Sequence, residues 1–165
     1  PYGQLIAESL DGDLYDPIKT DAALDLSQGT PRFYLMKLTG GRPMRADRIT
    51  RHKKVTQCLG ALGLASDFYL VVHEATDNLT LAGLKAFRIP PCHFVKLRMG
   101  TWHVGPMWTG SDLDRTFMNL ELTDTNEVDH DTVEFYNLLP GGESVLMEEE
   151  DKIAKLEIPV LPVFE

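Results

Sequence analysis

Only two cysteines, Cys58 and Cys92, occur in 165 residues. Both sit in apolar, strand-like settings, so they read as small buried thiols in a reducing compartment. A disulfide framework and a cysteine-built zinc site are both excluded. Cationic charge is scarce as well: 16 Lys and Arg against 25 Asp and Glu leave a formal net charge of -9 and a pI of about 5.0. A nucleic-acid partner would need a local basic patch against that field. The one short basic run, Arg48-Ile49-Thr50-Arg51-His52-Lys53-Lys54, has no interleaved aromatics, and no nucleic-acid partner is expected. No apolar run reaches membrane-spanning length and no signal-peptide pattern opens the chain. The expectation is a soluble protein, cytoplasmic or organellar, with no membrane partner. A leader removed ahead of Pro1 is compatible with a chain that does not begin with Met. Internal repeats and low-complexity tracts are lacking.

What is present is ordinary for a globular domain: 43% hydrophobic and 25% charged residues, in a chain long enough to bury a core as one domain over residues 1–165. Short apolar or alternating runs are separated by turn residues, the pattern of an all-β sandwich or barrel with few short helices. Strands are predicted at Tyr2 to Glu8, Arg32 to Leu38, Ile49 to Leu59, Asp67 to His73, Leu84 to Ile89, Phe94 to Met99 and Arg115 to Leu122. Asp11 to Thr30 reads as loop with one helical turn near Asp21 to Leu26, and Asp131 to Leu138 as a short helix or a further strand. Residues 143–165 form an extension. Its Glu148-Glu149-Glu150-Asp151 run suits a solvated face. Its apolar end, Ile158 to Phe164, suits an extended edge segment on the barrel or on a partner.

Three stretches carry candidate chemistry. In Gly100-Thr101-Trp102-His103-Val104-Gly105-Pro106, glycines and proline bracket a histidine at a strand mouth, where confinement would tune its titration. A core or turn histidine beside a packing tryptophan is the plainer reading of His103 and Trp102. In Ile49 to Leu59, His52 and Gln57 are five apart. An unbroken strand puts them on opposite faces, whereas a bulge or tight turn at Lys53-Lys54-Val55 brings them to one side. In Arg115 to Leu122, Glu121 shares a face with Phe117 and Asn119. That face either looks at water or turns a carboxylate and an amide inward, a pair suited to ureido N–H donors. A carboxylate-bearing ligand needs a cation, and Arg51, Lys96 and Arg98 compete for that place. His73, His93 and His130 read as surface or turn residues.

A histidine, four residues and a carboxylate or amide, followed later by Gly-x-x-His, is similar to the skeleton of the cupin double-stranded β-helix. Thr50 stands here at the first histidine's place and Gln57 at the glutamate's. That resemblance implies a divalent metal as a possible cofactor, held by His52, Gln57 and His103. A more specific resemblance rests on Tyr2-Gly3, Gly29 with Arg32-Phe33, Arg51-His52 with Thr56-Gln57, and Phe68 to Val72. It continues through Leu84-Lys85-Ala86-Phe87 and Val95 to Gly100-x-Trp102-His103. In this order, from Tyr2 to about His130, the chain resembles the ureidoglycolate lyase family, cupin-type enzymes of purine and allantoin breakdown. Asn119-Leu120-Glu121-Leu122, Thr125-Asn126 and Val128-Asp129-His130 resemble its plant and algal branch. The resemblance implies a homodimer that cleaves ureidoglycolate to glyoxylate and urea, with a small ureido acid as its partner. His52, His103 and Glu121 would be catalytic, and Arg51, Gln57, Lys96, Arg98, Trp102 and Asn119 would bind substrate. The competing expectation is a non-catalytic barrel that binds a small carboxylate or a partner protein.

Overall fold

A computed structural model describes residues 1–8, 20–39, 46–63, 67–108, 114–135 and 160–161. Among the described residues eleven strands form two facing sheets, accompanied by one four-residue α-helix and a 3-10 turn at Leu81–Gly83. The first sheet comprises β1 (Gly3–Ile6), β7 (Phe94–Leu97), β4 (Gln57–Ala61), β9 (Arg115–Leu122) and β2 (Pro31–Leu38), in that spatial order. The second runs β10 (Asp131–Glu134), β3 (Arg48–Arg51), β8 (Trp102–His103), β5 (Phe68–His73), β6 (Lys85–Ile89) and β11 (Val160–Leu161). All pairings are antiparallel except that of β11 with β6. These two sheets build the cupin-type β-barrel that the strand pattern and the resemblance predict.

Alternation along the strands decides what the barrel encloses. β9 buries Arg115, Phe117, Asn119 and Glu121 and turns Thr116, Met118 and Leu120 outward; the polar face, open from the sequence to either water or the interior, is the inner one. One apolar cluster lies between the sheets, with Phe68, Leu70 and Val72 of β5 against Leu59, Val95, Leu97, Trp108 and Phe117. A smaller one joins Ile49, Val71, Ala86, Trp102, Met107 and Phe135. β2 inverts hydrophobic intuition: Phe33 and Leu35 are 65% and 61% exposed, while Arg32 and Tyr34 lie on the inner face.

The main departure from the predicted elements is at Ile49 to Leu59. It is two strands in different sheets, and the chain crosses between the walls over residues 52–56. Lys53 and Lys54 turn there because the Asp129 carboxylate accepts both of their backbone N–H groups, at 2.9 and 2.8 Å. Asp21 to Leu26 has no helical turn; the helix α1 (Thr125–Val128) comes after β9 instead. Of the extension, only Val160 and Leu161 fall within the described residues, and they pair in parallel with Ala86 and Phe87. The acidic run from Glu148 to Asp151 lies outside them.

The cysteines also differ from expectation. Cys58 is partly buried, which pushes its thiol up to about 11 despite the nearby Lys96. Cys92 is exposed, with a positive φ of 59° in the turn before β7. Among the described residues, no helix is long and apolar enough to cross a membrane.

Candidate active site

Where β3 leaves the second sheet and β4 enters the first, the barrel holds a cavity of about 510 Å³. His52, Gln57, His103, Asn119 and Glu121 all line it. The crossing at residues 52–56 is what places His52 and Gln57 on one hollow from two walls. β8 supplies His103, its backbone paired opposite Thr50 and Val72.

The two imidazoles face each other with ring centroids 5.3 Å apart. His52 is buried, and its Nδ1 lies 2.7 Å from the Asp129 carbonyl oxygen. His103 Nδ1 lies 3.2 Å from the Thr101 carbonyl oxygen. A carbonyl only accepts, so each Nδ1 carries the proton and donates it. In the neutral ring Nε2 is then a lone pair. His103 is pushed down to about 4, first by desolvation and second by His52 nearby. At neutral pH it is therefore an uncharged acceptor.

The floor is a buried carboxylate saturated with donors. Glu121 is fully buried. Its Oε1 accepts from Arg32 Nη2 (2.5 Å), the Tyr34 hydroxyl (3.2 Å) and Asn126 Nδ2 (3.2 Å). Its Oε2 accepts from Gln57 Nε2 (2.9 Å) and Asn119 Nδ2 (3.1 Å). An ionised carboxylate offers about four lone-pair sites, and five donors already meet them. This corrects the expectation of Glu121 as a second base: it orients its donors and keeps no lone pair for a substrate. Asn119 Nδ2 also donates to the Tyr34 oxygen, at 2.8 Å. With two acceptors on that side, the amide orientation is settled chemically. Asn119 Oδ1 is left buried and without a partner.

Four of the predicted binding residues lie elsewhere. Arg51 points away from His52, as adjacent residues of a regular strand do. Its guanidinium pairs with Asp131 and Asp77, donates to the Thr76 carbonyl, and stacks 4.4 Å from the Trp102 ring centre. Trp102 is 3% exposed and donates Nε1–H to the same carbonyl, so it is a packing wall. Lys96 alternates with inward Val95 and Leu97 and points out of the barrel; Arg98 is exposed beyond the strand end. The cation on the cavity wall is Arg48, two residues before Thr50 on β3, with Asp47 beside it.

The sequence reading missed Arg32, Tyr34, Arg48, Asn126 and His130. The alternation of β2 puts Arg32 and Tyr34 on one face and Phe33 and Leu35 on the other, and it is the polar face that turns inward. His130, read as a surface or turn residue, does line the cavity rim. His73 is buried rather than superficial, its Nδ1 near the Glu74 carbonyl and its Nε2 accepting from Thr80 N–H.

A divalent ion needs three or four N, O or S ligands. Among the described residues no group of three His, Cys, Asp or Glu side chains is placed to hold one. His52 and His103 make a pair and Glu121 is saturated; Gln57 donates to Glu121 through Nε2, so a third ligand beside the two imidazoles would be its amide oxygen.

A family model described as ureidoglycolate lyase matches residues 17–138, a span that contains every residue lining the cavity. The chain belongs to that family. Among curated proteins, none matches it. Among solved structures, it is similar to a dTDP sugar isomerase from Desulfovibrio desulfuricans G20, at 13% identity and a TM-score of 0.48. That likeness covers 81% of this chain and 82% of the other. It is also similar to oxalate decarboxylase from Bacillus subtilis, at 12% identity and a TM-score of 0.42, over 68% of this chain and 26% of that one. Membership of the ureidoglycolate lyase family makes this a cupin-type enzyme that processes a ureido acid.

Proposed function

We propose that the protein cleaves ureidoglycolate to glyoxylate and urea by proton transfer within the barrel. The observation that carries this reading is the facing pair of imidazoles, each with Nδ1 tied to a carbonyl, in one cavity with an amide oxygen that has no partner among the described residues. In ureidoglycolate one carbon bears both a hydroxyl and a urea nitrogen. His103 Nε2 takes the hydroxyl proton, the C–O pair closes to the aldehyde, and the C–N bond breaks. The imidazolium returns that proton to the urea nitrogen, so no atom is gained or lost. General acid–base transfer of this kind is worth about 10²- to 10⁴-fold.

The remaining groups position the substrate. Asn119 Oδ1 accepts a urea N–H, and His52 Nε2 faces a second. Arg48 meets the substrate carboxylate as the cation on the cavity wall. Resemblance of Asn119 to Leu122, of Thr125-Asn126 and of Val128-Asp129-His130 to the plant and algal branch supports placing the chain there. The test is glyoxylate release from ureidoglycolate by the parent, His103→Ala and His52→Ala. We expect kcat/KM to fall by about 100-fold or more in His103→Ala. Full activity in both variants would remove this mechanism.

A further inference from the structure

Along the middle of the first sheet the inner face passes from polar to apolar before it reaches the buried Arg115, opposite Leu38. The register of β2 on β9 aligns Arg32 with Glu121, Tyr34 with Asn119, and Met36 with Phe117. β4 adds Leu59 beside Asn119 and Ala61 beside Phe117. The cavity follows this gradient, from Gln57 and Glu121 at one end to Met36 and Leu38 at the other. Across the hollow the order repeats in the chain: His103 is followed by Val104, Pro106 and Met107, all on the cavity wall.

Size points the same way. A cavity of about 510 Å³ falls in the ~300–1,000 Å³ range of sites that enclose drug-sized ligands. Ureidoglycolate is a two-carbon acid carrying a urea, with no carbon chain to lay against an apolar wall. The partnerless Oδ1 of Asn119 marks the end that takes the N–H-bearing head. Asp47 and Arg48 on the neighbouring strand are mostly exposed and pair with each other, so polar atoms laid directly on Met36, Leu38, Val104 and Met107 would lose hydration without gaining a hydrogen bond.

We propose that the site accepts ureido ligands bearing an alkyl or aryl substituent. The head N–H lies on Asn119 Oδ1, and the substituent runs along Met36, Leu38, Val104 and Met107. This rests on the cavity being the ureido site, and it widens the substrate class beyond the unsubstituted acid.

Calorimetric titration with n-propylurea, n-butylurea and n-hexylurea, and with 1-hexanol as the chain without a head, tests it. Affinity is expected to rise about threefold per added methylene, with 1-hexanol at least tenfold weaker than n-hexylurea. In Met36→Trp, which fills the apolar end, the ratio of n-hexylurea to n-propylurea affinity should drop at least fivefold. Should that variant not fold, Val104→Thr should move the ratio in the same direction. Flat affinity along the series, 1-hexanol equal to n-hexylurea, or an unchanged ratio in the folded variant would overturn the proposal. Titration needs no turnover, so the two readings fail separately. A rising series without glyoxylate release sinks only the lyase mechanism, and glyoxylate release with a flat series sinks only the substituent.

Discussion

At the scale of single residues, His103 and Glu121 show how neighbours assign roles. Both are ionisable and both line the same cavity, yet five donors consume the carboxylate while the imidazole keeps Nε2 free. His103 is held near 4 by desolvation and by His52, so at pH 7 only about one molecule in a thousand carries its proton. The expected outcome is a kcat/KM profile whose acid limb lies near pH 4. A limb at the ordinary histidine value of about 6.5 would show that another group is the base. Two cations predicted to bind substrate supply a second check. Lys96 and Arg98 lie outside the cavity, so Lys96→Ala and Arg98→Ala should each keep kcat/KM within about twofold, as surface changes do. Arg48→Ala, measured alongside, should raise KM.

Among the elements, the crossing from β3 to β4 matters most, because it turns one run of sequence into parts of both walls. Its turn is held by Asp129, whose carboxylate takes two N–H groups and whose carbonyl takes His52 Nδ1–H. Asp129→Ala removes the carboxylate and leaves the carbonyl. It should cost about 1–3 kcal/mol of stability, the loss of two part-buried hydrogen bonds to one carboxylate. It should also lower kcat, because the turn that carries His52 loosens. Chemical denaturation and steady-state kinetics on the same preparation would check both, and unchanged values would show that other contacts hold the turn. α1 contributes Asn126 to the Glu121 network, although four residues make too short a helix for periodicity to reveal.

For the whole molecule, burying a neutral histidine couples folding to pH. Its folded-state value lies below the ordinary one, so the unfolded chain takes up this proton first as pH falls. The associated stability is present in full above about pH 6.5 and is lost progressively towards pH 4, by on the order of 3 kcal/mol. Replacing His103 with Gln should flatten this part of the stability curve. The difference between parent and variant in urea unfolding at pH 7 and pH 4.5 would show it, and an identical acid loss in both would mean that His103 contributes nothing to it. Net charge of -9 bears on solubility and association rather than on this local effect.

Much of the architecture is written in local pattern. The period-2 alternation of Arg115 to Leu122 shows that Phe117, Asn119 and Glu121 share a face, though not that the face turns inward, and turn residues between short apolar runs mark most strands. His52, Gln57, His103, Asn119 and Glu121 were all legible, because a polar or ionisable residue on an inward face, or next to a glycine break, leaves a trace in spacing. Tertiary structure alone decided which of them meet. A strand carries no mark of the sheet it will join, so the division of Ile49 to Leu59 between two walls depends on Asp129, seventy-odd residues away. Nor does local pattern reveal the inward Arg32 and Tyr34, whose partner Glu121 lies across the sheet. Alternation is set within a few residues, whereas burial and hydrogen-bond partners are set by whatever the rest of the chain brings alongside.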